Sequence, residues 1–177
     1  MRKETTLDQD VELALSKVFE LPNRKQFRCH EIARSLRNEL IELGYEATVQ
    51  TGIVQYDRRF LQETWLERFR QNGAEDQLVS IFEEEFRLNP PKGKTPRISH
   101  SWIEVRDTIV DYQNNIPASH GVSYQGFLIV ERRDKLDGRA VYHPSGGEFN
   151  IFGRSFVYTF TGRLPYFSRL IVQPIKH

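Results

Sequence analysis

His100-Ser101-Trp102-Ile103-Glu104-Val105-Arg106-Asp107-Thr108-Ile109-Val110-Asp111 reads as two strands joined by a tight turn. β-Branched and aromatic residues flank the polar pair Arg106-Asp107, the usual signature of a hairpin. A two-residue loop there pairs Val105 with Thr108, Glu104 with Ile109 and Trp102 with Asp111. Side chains alternate along a strand, so His100, Trp102 and Asp111 share one face. His100 and Asp111 are then diagonal neighbours, roughly 7–8 Å apart at the backbone, within reach of an imidazole–carboxylate hydrogen bond. A four-residue loop about the same centre keeps that parity, whereas a three-residue loop puts the two on opposite faces.

Working outward, Cys29 is the only cysteine in the chain. It stands at the start of a predicted helix, Phe27 to Leu43, whose stripe Cys29, Ile32, Ala33, Leu36, Leu40 and Leu43 recurs at helical spacing. Gly44 reads as the C-terminal cap. Ala47, Val49, Thr51 and Ile53 then alternate with polar residues in a strand running to Tyr56. A thiol at a helix start, with a strand histidine and an acid on the next strand, is a pattern that makes sulfur nucleophilic. The helix terminus and an imidazolium both favour thiolate. Asp111 would hold the imidazole ring and favour its charged form. Attack on a carbonyl also needs donors for the oxyanion. The Cys29 backbone N–H is one candidate, and a side-chain amide from Asn23 or Gln26 a second. Trp102 reads as core or as a wall of the site.

Elsewhere, Thr6 and Gln9 suit a capping box, followed by the apolar face Leu7, Val11, Leu13, Leu15, Val18 and Phe19, with Pro22-Asn23 ending that helix. Residues 58 to 88 read as two amphipathic helices, Phe60-Leu61-Trp65-Leu66-Phe69 and Leu78-Val79-Ile81-Phe82-Phe86, broken at Asn72-Gly73. They either extend the core or cap the cleft. Residues 89–96, rich in proline, form a loop. Strands are predicted at 98–105, 108–112, 126–131, 139–142, 155–161 and 169–174. Helices first and an antiparallel sheet later predict an α+β domain over 1–177, with N-terminal helices packed on the sheet and a two-helix insertion at 58–88.

Together these elements resemble the transglutaminase-like branch of the papain-like cysteine enzymes. The resemblance rests on Cys29-His30-Glu31-Ile32-Ala33-Arg34-Ser35-Leu36, Gly44 to Gly52, His100 to Val105, and Asp111, covering roughly residues 24–56 and 97–113. It implies a papain-like core with Cys29 as nucleophile, His100 as general base and acid, and Asp111 as the orienting acid. The short interval from His100 to Asp111 is similar to compact bacterial members, including peptide-processing proteases. Arg28 stands before the cysteine where such enzymes commonly have a small residue or Gln, and a glycine-rich approach is missing. The implied activity is a thioester-forming amide or peptide hydrolase, or an acyl transferase, acting on a peptide or protein; hydrolysis is expected over cross-linking. The alternative is an inactive module of the same fold that binds a peptide or protein.

Bland readings compete with these. The cysteine alone would be an inert core residue, and Asp111 alone a polar strand end. Cys29, His30 and His143 lack metal-ligand spacing, so neither metal nor cofactor is expected. Arg132, Arg133, Lys135 and Arg139 read as a solvated hairpin turn, with an acidic partner as the alternative. Ser145-Gly146-Gly147 reads as a flexible loop, and His120, His143 and His177 as loop or terminal residues. Lys and Arg number 25 against 24 Asp and Glu. Near-neutrality gives no pull toward nucleic acid or membrane. One cysteine excludes an internal disulfide, and no apolar stretch suits a signal peptide or a bilayer span. A cytoplasmic protein is expected, its oligomeric state open.

Overall fold

The structure, a computed structural model, describes residues 6–20, 29–71, 76–117, 123–151, 154–161 and 169–174. Helix α1 spans Leu7–Glu20. Its capping box forms as expected: the Gln9 backbone N–H donates to Thr6 Oγ1, and the Thr6 N–H donates to Gln9 Oε1. The buried face is Val11, Ala14, Leu15 and Val18; Leu13, expected on it, is half exposed because it lies on the opposite side of the helix. Helix α2, Cys29–Glu42, buries Ile32, Ala33, Leu36 and Leu40. It ends in a Schellman motif. Gly44, at φ 95°, donates to Ile41 O, and Tyr45 N–H donates to Leu40 O.

After β1, Ala47–Tyr56, come α3, Arg58–Gln71, and α4, Asp76–Leu88. Then follow β2, Ile98–Val105, β3, Thr108–Pro117, and β4, Ser123–Arg132. A 3-10 turn at Arg133–Leu136 leads to β5, Ala140–Pro144. Strands β6, Gly146–Ile151, β7, Arg154–Thr161, and β8, Arg169–Pro174, complete the described elements. The first five strands form an antiparallel sheet ordered β4-β3-β2-β1-β5, and the last three a second sheet ordered β6-β7-β8. The architecture is α+β.

The main sheet is covered on both faces. Helices α1 and α2 pack on Ala47, Ile103, Val105, Val110 and Leu128. On the other face, α3 brings Phe60, Leu61 and Trp65 onto Val54, Tyr56, Trp102, Ile109 and Ile129. The helical insertion therefore extends the core, with Trp65 meeting Phe82 of α4 edge to face at 5.1 Å. Ile81, expected on the apolar face of α4, is exposed. The side chains of Phe69 and Leu78, and the breaks at Pro22-Asn23 and Asn72-Gly73, lie outside the described residues, as do His120 and His177.

Three local expectations are corrected. Strand β3 runs past Tyr112 to Pro117, because its polar residues pair with β4 out to Pro117↔Ser123. Gly146-Gly147, read as loop, opens β6 and pairs with Thr159 and Tyr158. The basic stretch after β4 is solvated as expected but is not a hairpin: it is a 3-10 turn between β4 and β5, which lie at opposite edges of the sheet, with Leu136 buried and Arg133 paired to Glu104.

Candidate active site

Sequence spacing set the hairpin register, and the structure has the same one: Val105↔Thr108, Glu104↔Ile109, Ile103↔Val110. Arg106 supplies the turn with a left-handed φ of 55°. The β2–β3 ladder stops at Ile103↔Val110, whereas β2 pairs with β1 along its whole length, Ala47↔Val105 to Val54↔Ile98. Beyond that point the two strands part, and the start of α2 meets the sheet beside them. His100 and Asp111 belong to the α3 face and Cys29 to a helix on the opposite face. They meet where the ladder has ended.

Each residue of this cluster has defined partners. His100 Nε2 lies 2.5 Å from Asp111 Oδ1. Cys29 and the His100 side chain act on one another through a hydrogen bond and charge. Where β3 has left the ladder, the Ser101 backbone N–H donates to the Cys29 sulfur. Asp111 is fully buried, and a buried carboxylate is costly unless its oxygens are satisfied. Its Oδ2 accepts from Tyr142 Oη at 2.7 Å and from Tyr56 Oη. Gln113 Nε2 donates in turn to Tyr56 Oη.

These contacts set the charges. Burial raises the Cys29 thiol pKa, but the hydrogen bond and positive charge of His100, with the Ser101 N–H, outweigh it and bring the pKa below the ordinary thiol value. Burial pulls His100 down, yet the Asp111 carboxylate and the Cys29 sulfur push it up to about 10. Burial likewise opposes ionisation of Asp111, and the His100 charge with the two tyrosine hydroxyls holds its pKa below the usual carboxylate range. The tyrosines stay protonated, raised first by burial and then by the Asp111 charge. All three shifts act in the direction of thiolate, imidazolium and carboxylate in series. Such a set can attack an electrophilic carbon and then deliver a proton to a leaving group.

No protein-family model, curated protein or solved structure matches the chain. The site therefore stands on its own geometry.

Cys29, His100 and Asp111, all read from sequence, come together. Trp102 is completely buried, its indole donating to Glu104 Oε1 at 3.0 Å and its ring 5.2 Å from that of Tyr142. That is a packing position beneath the site, not a surface that substrate touches. Asn23 and Gln26 lie outside the described residues. His143 is exposed on β5. Sequence reasoning missed Tyr56, Gln113 and Tyr142. Gln113 was findable, being two residues from Asp111 and so on its face. Tyr56 and Tyr142 needed the order β2-β1-β5, for which no local pattern speaks.

Proposed function

We propose that this chain is a cysteine-dependent amide or peptide hydrolase, or acyl transferase, with a transglutaminase-like, papain-like core. Cys29 is its nucleophile, His100 its acid and base, and Asp111 its orienting acid. The observation that carries the reading is the buried relay: a thiol with lowered pKa, hydrogen-bonded to an imidazolium that is itself held 2.5 Å from a buried carboxylate. Structural cysteines gain nothing from such an arrangement, whereas reactive ones depend on it.

The chemistry follows. The Cys29 thiolate bonds to a substrate carbonyl carbon, and the C=O electron pair moves onto oxygen. Collapse of this adduct breaks the carbon–nitrogen bond, and the leaving amine takes the proton from His100. A thioester remains with a neutral imidazole. Water, or an amine in transfer, attacks the thioester and gives a proton to His100, releasing acid or new amide and restoring the ion pair. Cys29 is the first described residue of α2, and its backbone N–H is the candidate donor to the oxyanion. A peptide or protein is the substrate class the resemblance implies.

The test is Cys29→Ala in assays of amine release from acyl-amide and peptide substrates. Turnover should vanish with the circular dichroism spectrum unchanged; turnover retained by the variant removes the reading. Added primary amine, diverting product from acid to amide, separates transfer from hydrolysis.

A further inference from the structure

His30 is buried beside the nucleophile, yet the chemistry above gives it no task. Its ring is held at both nitrogens: Nδ1 lies 2.9 Å from Ser101 Oγ, and Nε2 lies 2.8 Å from Glu148 Oε1. Thr51 Oγ1 stands 2.9 Å from the same Ser101 oxygen and 3.4 Å from Nδ1. A carboxylate only accepts, so Nε2 carries the proton toward Glu148 and, in the neutral ring, Nδ1 accepts. The other directions follow: the Ser101 hydroxyl donates to Nδ1, and the Thr51 hydroxyl donates to Ser101. Burial favours this neutral ring, lowering its pKa, against the pull of the Glu148 carboxylate. Arg34 works with burial, and Glu31 with Glu148.

Both ends of this chain of bonds bear on the sulfur. Ser101 follows His100 in β2, and its backbone N–H is a donor to Cys29. His30 follows Cys29 in α2, so fixing its ring at both nitrogens fixes the first turn of the helix. Thr51 lies opposite Ser101 in the β1–β2 register, which closes the unit onto the central strands. Glu148, on β6, is the outer anchor, and it links the second sheet to the start of α2.

We propose that His30, Ser101 and Thr51 form a positioning unit that locks the first turn of α2 to β2, holding the Ser101 N–H on the Cys29 sulfur and the sulfur against His100. The inference rests on Cys29 being the nucleophile and adds to that reading the residues that aim it. None of the three touches the reacting carbon.

Amide side chains separate this role from plain packing. Asn in place of histidine presents an oxygen near the Nδ1 position and keeps an acceptor for Ser101. Gln presents its amide near Nε2 and keeps a donor for Glu148. The readout is the pH dependence of iodoacetamide alkylation, with thermal unfolding alongside. His30→Gln and Ser101→Ala should move the midpoint of Cys29 reactivity up by about one unit, making alkylation about tenfold slower on the acid side. His30→Asn and Ser101→Thr should restore most of it. If His30→Gln and Ser101→Ala lower the melting temperature but leave the reactivity profile of a fast-reacting thiol unchanged, His30 is merely structural and the proposal is overturned. A wild-type thiol that reacts only above pH 8 overturns the parent reading, and this one with it. Should Ser101→Ala fail to fold, the contrast between His30→Gln and His30→Asn decides alone.

Discussion

Because the chain has one cysteine, any thiol reagent reports on Cys29 and nothing else. An unperturbed thiol with pKa near 8.5 is about 75% ionised at pH 9 and about 0.3% at pH 6, so its alkylation slows by about two orders of magnitude. Cys29 should behave otherwise. The His100 imidazolium beside it, its pKa pushed up to about 10, favours the thiolate through neutrality. Alkylation should therefore fall off less steeply from pH 9 to 6.5 than it does for a free thiol, with a further change near pH 10 as His100 loses its proton. His100→Gln removes the cation while burial still opposes the thiolate. In that variant the rate at pH 6 should fall about a hundredfold, and Asp111→Asn should lie between. Stopped-flow or mass-spectrometric alkylation measures the rates, and circular dichroism verifies the fold of each variant. A wild-type profile that falls a hundredfold between pH 9 and 6, or a folded His100→Gln protein with wild-type rates, refutes the ion pair.

Other outcomes follow from the same contacts. Tyr142→Phe withdraws one donor from the buried Asp111 carboxylate and should cost about 1–3 kcal/mol in urea unfolding. It should also make acid unfolding begin at higher pH, since Asp111 is then easier to protonate. A Cβ on Gly52 would lie 2.1 Å from His143 O, far inside the 3.4 Å of ordinary contact, so Gly52→Ala must push β5 away from β1. The expected loss is about 2–4 kcal/mol, lowering the melting temperature by roughly 5–12 °C. Between about pH 6.5 and 9 stability should change less than outside that range, because the lowered Cys29 pKa and the raised His100 pKa act in opposite directions on proton uptake by folding there. Below that window stability should fall, as the lowered pKa values of Cys29 and His30 make the unfolded chain bind more protons. Above it, stability contributed by His100 is lost as pH rises through about 10. Denaturation midpoints across pH measure all three limbs.

How much of this was legible in the sequence depended on distance along the chain. The hairpin was legible because two strands and a two-residue turn fix their own register, and the side-chain period of two then places His100 and Asp111 together. The cap at Thr6 and the end of α2 at Gly44 were legible for the same local reason. Strand β6 was not, because Gly146-Gly147 carries a turn composition and becomes strand only by pairing with β7. Nor was the continuation of β3, whose backbone pairs with β4 and whose Gln113 side chain bonds Tyr56. The donors to Asp111 come from β1 and β5, and the second hydrogen-bonded network reaches Glu148. Those contacts are decided by strand order in space, which no window of sequence contains.

The reach of the Asp111 cluster along the chain has a consequence for biogenesis. Tyr142 arrives on β5, the last strand added to the main sheet, and α2 with its sulfur is made more than a hundred residues earlier. Assembly that waits on remote partners is slow, and synthesis proceeds from the N-terminus. A nascent chain therefore lacks the Tyr142 donor to Asp111 until β5 joins, and the surroundings of the His100–Asp111 pair are completed only when the sheet closes.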